Sequence, residues 1–410
     1  MILLEKWVLI TIFECQIVIY MKIVILGTAH PYRGGIAALN ERLAQELVSQ
    51  GHEVEIYNFS LQYPEFLFPG KTQYTEDPQP QNLQIKRKVN SVNPFNWLKV
   101  GKELKKIAPD LMIIRYWLPF MGPALGTIAR IVRKNRHTKI ICIADNIVPH
   151  EKRIGDSLFT HYFTKGVDGY IAMSHEVYAD IEKFVKNPCR RFTPHPIYDH
   201  YGEIISREMA LKALNLDENY RYLLFFGFIR DYKGLDWLLQ AMADDRLKGR
   251  KIRLIVAGEF YSSPDPYLKM IHDLGLDETV ILHADYIPND QINRYFCAAD
   301  LLVQPYKTAT QSGVTQIGYH FNKAMLVTEV GGLGEIIANQ KSGYVVKPEK
   351  RAIADAIVDF YTQNRQAAFE AETVKLKERF SWSRMIDVLM DLYRDLFSHC
   401  DKERKNGTRD

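Results

Sequence analysis

A turn in the C-terminal half of the chain combines glycines with residues that bind phosphate. It spans residues 227–234, directly after an apolar run, and carries Arg230 and Lys233. Where a strand gives way to a helix, backbone N–H groups and the positive end of the helix dipole attract anions. Because Arg230 and Lys233 add full charges there, the turn predicts a site for a diphosphate group.

A second turn, at residues 309–314, places Ser312 and Gly313 at the start of a helix-like stretch. Serine favours the helix N-cap, and capping and phosphate binding use the same N–H groups. A plain N-cap is therefore the alternative to a phosphate contact. Open α/β sheets bind ligands at the carboxyl ends of their strands, so we predict that both turns belong to one site.

Two further groups of polar residues follow apolar runs. Asp145 and His150 come after the run 139–143, and Glu259 comes after the run 252–257. A histidine pKa lies near working pH, which suits acid–base chemistry, so we predict His150 and Asp145 as catalytic. Glu259 is predicted to contact ligand hydroxyl groups. The alternative for all three is an ordinary loop residue.

The elements that position these residues alternate between short apolar runs and amphipathic stretches from Met21 onward. This pattern is typical of βαβ units with a parallel sheet. Strands are predicted at 22–26, 54–58, 111–115, 139–143, 169–173, 222–226, 252–257, 279–283, 301–304 and 325–329. Residues 60–95, rich in Pro, Gln, Asn and Tyr, are predicted as an irregular insertion. We expect two similar α/β domains, each with a doubly wound parallel sheet.

The predicted boundaries follow interruptions of that pattern. We expect an N-terminal extension at 1–20, Rossmann-like domains at 21–198 and 199–380, a helix at 381–398 that crosses back to the first domain, and a frayed tail at 399–410. The apolar stretch 8–13 is too short to span a bilayer and lacks the basic start of a signal peptide. Since Met21 opens a clean strand, we interpret residues 1–20 as an appendage from an upstream start.

Composition places the chain among ordinary globular proteins, with 47% apolar and 25% charged residues. Five cysteines without CxxC spacing fit reduced thiols and offer no metal-site pattern. Residues 21–199 contain 24 Lys and Arg against 17 Asp and Glu, concentrated at 86–106 and 130–139. A solvated face is the ordinary explanation, and attraction to an anionic membrane is the alternative.

Five motifs in order resemble the GT-B glycosyltransferases, and among them the retaining family 4, or group 1. The resemblance covers Met21 to about Phe397. The motifs are Pro31-Tyr32-Arg33-Gly34-Gly35-Ile36, Phe226-Gly227-Phe228-Ile229-Arg230-Asp231-Tyr232-Lys233-Gly234-Leu235, Val256-Ala257-Gly258-Glu259, Ala299-Asp300-Leu301-Leu302-Val303-Gln304-Pro305 and Val330-Gly331-Gly332-Leu333-Gly334-Glu335.

This resemblance implies two Rossmann-like domains that face a cleft, with the donor on the second and the acceptor on the first. It implies that Gly34 and Gly35 let the backbone approach donor phosphate or acceptor; the alternative is a glycine turn with no ligand. We also predict nucleotide or sugar contacts for a set of loop residues: Tyr286, Ile287, Glu259, Gln311 and Glu335. Core packing is the alternative for Ile287.

The chain departs from the family pattern at three positions. The two glutamates that family members carry eight positions apart correspond to Ala309 and Ile317, and the usual arginine after the first glycine corresponds to Phe228. Neither Ala309 nor Ile317 can hydrogen-bond a sugar. The departures leave donor sugar and nucleotide open.

We therefore predict an enzyme that transfers a sugar, with retention, from a nucleotide-diphosphate sugar to a glycan or lipid-linked acceptor in cell-envelope or exopolysaccharide synthesis. It is expected in the cytoplasm, with peripheral contact to an anionic membrane, no metal or other cofactor and no nucleic-acid partner. The alternatives are a nucleotide-sugar 2-epimerase and a catalytically silent sugar-nucleotide-binding subunit.

Overall fold

The computed structural model describes most of the chain in two sheet-centred halves. The described residues are 20–64, 72–148, 155–199, 201–309 and 312–406, with side chains of the last helix described through Phe397. His150 and Gln311, both predicted site residues, lie outside these ranges.

Seven parallel strands form the first sheet, in the order β3-β2-β1-β4-β5-β6-β7. Their bounds are β1 (Lys22–Leu26), β2 (Glu53–Leu61), β3 (Gln84–Asn90), β4 (Leu111–Tyr116), β5 (Lys139–Ala144), β6 (Gly169–Ala172) and β7 (Arg190–Phe192). Every residue of the central β4 is buried. Helices on both faces explain why such strands read as continuous apolar runs.

Five helices of the first half pack around this sheet. They are α1 (Gly35–Ser49), α2 (Pro94–Ile107), α3 (Gly122–Arg133), α4 (Asp156–Thr164) and α5 (His175–Asp180). α1 buries a stripe at helical spacing that includes Leu39, Leu43 and Leu47. Asn93 caps α2 by accepting hydrogen bonds from the N–H groups of the first turn.

Six parallel strands form the second sheet, in the order β10-β9-β8-β11-β12-β13. The strands are β8 (Arg221–Phe226), β9 (Ile252–Ala257), β10 (Val280–His283), β11 (Leu301–Gln304), β12 (Ala324–Thr328) and β13 (Gly343–Val346). Its helices are α6 (Arg207–Ala213), α7 (Leu235–Met242), α8 (Asp265–Asp273), α9 (Ile292–Ala298), α10 (Gly313–His320), α11 (Leu333–Ile336), α12 (Lys350–Thr362) and α13 (Gln366–Leu376).

The last helix, α14 (Trp382–Asn406), returns to the first sheet. It contacts β5, β6 and β7, and Leu392 and Leu396 lie against the backbone of Gly169. A Cβ at Gly169 would stand 3.3 Å from both leucines. The helix also extends past Phe397 into the segment predicted to fray. No helix among the described residues is long and apolar enough to cross a membrane.

The predicted fold class, two doubly wound parallel α/β domains, is confirmed. The prediction of an irregular insertion at 60–95 is wrong for its last part, because Gln84–Asn90 forms the edge strand β3 and α2 begins at Pro94. An edge strand half open to solvent carries polar residues, so it lacks the apolar run of a central strand. The short β7 and β13 were also missed.

Candidate functional site

The turn after β8 holds Lys233 in an unusual position. The side chain is buried, and among the described residues its Nζ has no hydrogen bond or ion pair. A Cβ at Gly227, whose φ is 94°, would lie 3.0 Å from that Nζ. Burial, followed by the charge of Arg230, lowers the pKa of Lys233 to about 7. The cation therefore lacks a counter-charge and lies against a turn that only glycine opens.

Arg230 differs from Lys233 in exposure. Its side chain is open to solvent, and its guanidinium lies 4.5 Å from the ring centroid of Tyr261. The aromatic face orients the guanidinium without neutralising it. The two predicted cations thus lie in the same turn, one buried and one exposed.

The start of α10 has no side-chain cap. Ser312 occupies the N-cap in an extended conformation, but its side chain caps no N–H group. Its Oγ instead donates to Gln304 Oε1 at 2.7 Å, and Thr315 Oγ1 donates to the same oxygen at 3.1 Å. Since Ser312 is committed to Gln304, the N–H groups of the first turn have no side-chain cap and suit an anion.

Tyr198 joins the glycine turns of the two halves. Its hydroxyl donates to the Gly35 carbonyl oxygen at 3.1 Å. A Cβ at Gly35 would stand 2.8 Å from that hydroxyl oxygen, and a Cβ at Gly313 would stand 2.8 Å from a ring carbon of Tyr198. Both glycines therefore admit one aromatic ring, which brings the start of α1 beside the start of α10. Gly34, with φ 108°, has no neighbour within 4 Å of a Cβ.

A buried ion pair crosses between the halves at the next loops. Arg33, ahead of α1, donates from Nη2 to Glu259 Oε2 at 2.7 Å, with side chains 6% and 3% exposed. The Arg33 guanidinium also lies 4.6 Å from the Tyr286 ring centroid and 5.7 Å from that of Phe228. Glu259 and Tyr286, both predicted as ligand contacts, thus meet at Arg33. Sequence reasoning did not single out Arg33.

The segment after residue 72 supports this loop. Arg33 N donates to the Gln73 carbonyl oxygen at 3.0 Å, and Asp77 Oδ2 accepts from Asn289 Nδ2 of the other half at 3.2 Å. Nearby, Glu41 Oε1 accepts from His30 N at 2.5 Å, and burial raises the pKa of Glu41 to about 7. Polar groups of the predicted insertion therefore form part of the rim between the halves.

Asp145 lies at the carboxyl end of β5 in a second buried ion pair. Both of its carboxylate oxygens accept from Arg115, at 2.5 Å each, and the Arg115 side chain is 2% exposed. Nearby, burial and the charge of Arg115 lower the pKa of His195 to about 4. Its Nδ1 donates to the Pro196 carbonyl oxygen at 2.8 Å, and its lowered pKa keeps His195 neutral at neutral pH.

The remaining predicted contacts lie on the second half. Ile287 is partly buried against the core, and Glu335 Oε2 accepts from His175 N at 3.4 Å across the cleft. Ala309 and Ile317, where family members carry glutamates, are buried apolar residues. No group of three or more metal-ligating side chains occurs among the described residues. Each of these site assignments stays a prediction.

Family models match both halves of the chain. The model described as "Glycosyltransferase Family 4" matches residues 33–193, and "Glycosyl transferases group 1" matches residues 220–363. The two matches together span the loops after β1, β5, β8, β9 and β11 that carry the residues described above.

Curated relatives are similar over part of their length. A D-inositol 3-phosphate glycosyltransferase 1 of Catenulispora acidiphila is 29% identical over 220 residues, which is 50% of this chain and 52% of that protein. A D-inositol 3-phosphate glycosyltransferase of Segniliparus rotundus is 30% identical over 191 residues, 45% of this chain and 42% of that protein. The chain spans about half the length of the curated relatives it matches.

Solved structures match the fold over nearly the whole chain. Sucrose-phosphate synthase from Thermosynechococcus elongatus aligns with a TM-score of 0.70 at 17% identity, over 92% of this chain and 100% of that one. Anabaena HepE in complex with UDP aligns with a TM-score of 0.67 at 15% identity, over 93% and 100%. Both family models match this chain, and its two parallel sheets have the architecture of these solved structures. The chain therefore belongs to the group 1, or family 4, glycosyltransferases and has the GT-B fold.

Proposed function

We propose that this protein transfers a sugar from a nucleotide-diphosphate sugar to a glycan or lipid-linked acceptor, with retention of configuration. The observation that carries the proposal is Lys233, a buried cation with no counter-charge among the described residues. It lies in the turn after β8, and the uncapped start of α10 supplies N–H groups at the same edge of the sheet. A diphosphate would satisfy both.

The chemical task of this site is to stabilise a departing diphosphate. The bond between the sugar C1 and the diphosphate oxygen breaks, and an acceptor hydroxyl oxygen bonds to C1 on the same face. The acceptor proton passes to the departing diphosphate. Fixed charges in a closed cleft stabilise this leaving group without reorganisation at the moment of reaction. Lys233, Arg230 and the α10 start supply those charges, so we propose that turnover needs no metal.

The donor would lie on the second half of the molecule. A solved neighbour, Anabaena HepE, was crystallised with UDP and with UDP-glucose, which favours a uridine nucleotide as the first donor to test. In this chain, Tyr286 and Phe228 offer aromatic faces beside the cation-bearing turn. The names of the curated relatives favour phosphorylated polyols among the first acceptors to test.

The catalytic part of the proposal rests on His150, and Asp145 has a supporting role. Asp145 is oriented by Arg115, whose two nitrogens occupy both carboxylate oxygens. A carboxylate held in this way suits orientation of the following loop better than proton transfer. We therefore assign proton transfer to the diphosphate, and to His150, which follows Asp145 in the chain, we assign a hydrogen bond to a sugar hydroxyl.

The outer face of α2, α3 and α4 suits contact with an anionic membrane. Large apolar side chains stand open there, with Phe95 83% and Leu158 69% exposed. Cations lie on the same helices, and a shallow depression of about 300 Å³ is lined entirely by basic residues: Arg130, Arg133, Lys134, Arg136 and Lys165. Apolar side chains that insert and cations that attract anionic headgroups act together at a membrane surface. We propose peripheral attachment at the cytoplasmic face, close to a lipid-linked acceptor.

Incubation with a panel of nucleotide sugars, with and without glycan and lipid acceptors, tests the proposed activity. Nucleotide release that depends on acceptor and persists in EDTA is the expected result. Release of an isomerised nucleotide sugar without acceptor would identify a 2-epimerase. Binding without turnover would identify a silent subunit, which the apolar Ala309 and Ile317 favour as the second candidate.

A further inference from the structure

Arg33 reaches from the first half of the molecule into the second. Its backbone N–H is fixed to Gln73, and its side chain leaves the first half to pair with Glu259 at 2.7 Å. The guanidinium then lies over Tyr286 and beside Phe228. Arg33 is thus a side chain of one domain whose contacts belong to the other.

The environment of the guanidinium is incomplete. Its Nε is buried and has no hydrogen-bond partner among the described residues. A buried N–H on a charged group is costly when it is unpaired. The planar fork of arginine matches phosphate oxygens, and the neighbouring rings of Tyr286 and Phe228 restrict its orientation. An anionic oxygen at Nε would therefore complete this site.

The partner of Arg33 is tied to the diphosphate turn. The Glu259 carbonyl oxygen accepts from Ile229 N at 2.8 Å, and a Cβ at Gly258 would lie 2.2 Å from the Gly227 carbonyl oxygen. The loop after β9 thus packs directly on the turn that carries Arg230 and Lys233. Arg33, Arg230 and Glu259 all act electrostatically on Tyr261, which places the two arginines in one neighbourhood.

We propose that Arg33 supplies, from the opposite domain, the guanidinium that the family carries at the position of Phe228. It rests on Glu259 in the empty enzyme and donates to the donor diphosphate when the nucleotide sugar binds. The diphosphate site is then complete only while the two domains are closed. This inference rests on the proposed function, since it needs a diphosphate donor.

Nucleoside-diphosphate binding by calorimetry tests the inference, with UDP, ADP and GDP as probes on the full chain. Arg33→Gln should weaken binding about 10- to 100-fold, the range for a lost charged hydrogen bond. The double variant Arg33→Gln with Phe228→Arg should bind at least tenfold more tightly than Arg33→Gln, because the guanidinium then comes from the second domain itself. Arg246→Gln is the matched control, an arginine that pairs with Asp244 on the surface and should leave binding unchanged.

Small-angle scattering of the empty enzyme tests the closing role without reference to activity. Arg33→Gln and Glu259→Gln should each increase the radius of gyration, and the exchanged pair Arg33→Glu with Glu259→Arg should reverse the increase. If Arg33→Gln melts early, Arg33→Lys replaces it in both measurements, because lysine keeps the charge but lacks the planar fork of arginine. Unchanged affinity in Arg33→Gln, or no rescue by Phe228→Arg, would overturn the inference. Failure of the unmodified protein to bind any nucleoside diphosphate would instead overturn the proposed function.

Discussion

Lys233 and Arg115 are both buried cations, each near the carboxyl ends of strands in its own domain. Arg115 is matched by Asp145, which accepts two hydrogen bonds from it. Lys233 has no such partner among the described residues and lies beside a glycine turn and a helix start. Burial of a cation therefore does not mark a ligand site by itself. A buried cation that lacks a counter-ion within the protein indicates an anion site, because a buried charge is stable only when it is paired.

The largest expected effect is a loss of stability when Arg115 loses its partner Asp145. Asp145→Asn should lower the free energy of unfolding by about 3–5 kcal/mol, since it leaves Arg115 charged and buried without a counter-ion. Chemical denaturation measures this loss. Nucleotide affinity of the folded fraction should stay unchanged. Full stability together with lost turnover would show instead that Asp145 is catalytic.

The unpaired cation predicts a pH dependence of nucleotide binding. The pKa of Lys233 is lowered to about 7, chiefly by burial, and a bound diphosphate favours its charged form. The complex then holds a proton that the free enzyme loses above pH 7. Affinity should therefore fall up to about tenfold per pH unit above 7, until the pKa of the complex is reached.

Calorimetry between pH 7 and 8 checks this slope, because the charge of the nucleotide is nearly constant there. Lys233→Met removes the titrating group, so its weaker affinity should change little over the same range. A flat profile in the unmodified protein would separate Lys233 from the ligand.

The smallest expected effect is on vesicle binding by the outer face of α2, α3 and α4. Phe95→Glu should reduce sedimentation with anionic vesicles, since it replaces an exposed apolar contact with a repelled charge. Leu268→Glu is the control, because Leu268 is 44% exposed on α8 of the other domain. Added salt should weaken the binding that remains. Equal loss in both variants, or no vesicle binding by the unmodified protein, would favour a soluble acceptor.

How much the sequence could predict depends on how local each signal is. Residues 252–257 and 301–304 are buried strands whose apolar runs match the observed β9 and β11. Lys233 and Ser312 lie in turns beside such runs, so their place at a strand end was predictable. β3 was not, because Lys86, Arg87 and Lys88 interrupt its pattern.

Contacts between segments far apart in the sequence could not be predicted in this way. Arg33 and Glu259 are 226 positions apart, and Tyr198 and Gly35 are 163 apart. Nothing in the local pattern of a single sequence links such positions. Arg115 reads as an interruption of an apolar strand, and only the fold shows that Asp145, 30 positions later, neutralises it.

A comparison of a nucleoside diphosphate with its nucleoside tests directly whether Lys233 binds the diphosphate. With the base that binds best, calorimetry at pH 7 measures the binding free energies of the nucleoside diphosphate and of the nucleoside. Their difference is the gain from the diphosphate, and it is measured in the unmodified protein and in Lys233→Met. We expect the variant to lose about 1.5–3 kcal/mol of this gain, while its affinity for the nucleoside stays unchanged. Its melting temperature should not fall, because a buried charge has been removed. If a folded Lys233→Met variant keeps the full gain from the diphosphate, Lys233 does not bind the diphosphate.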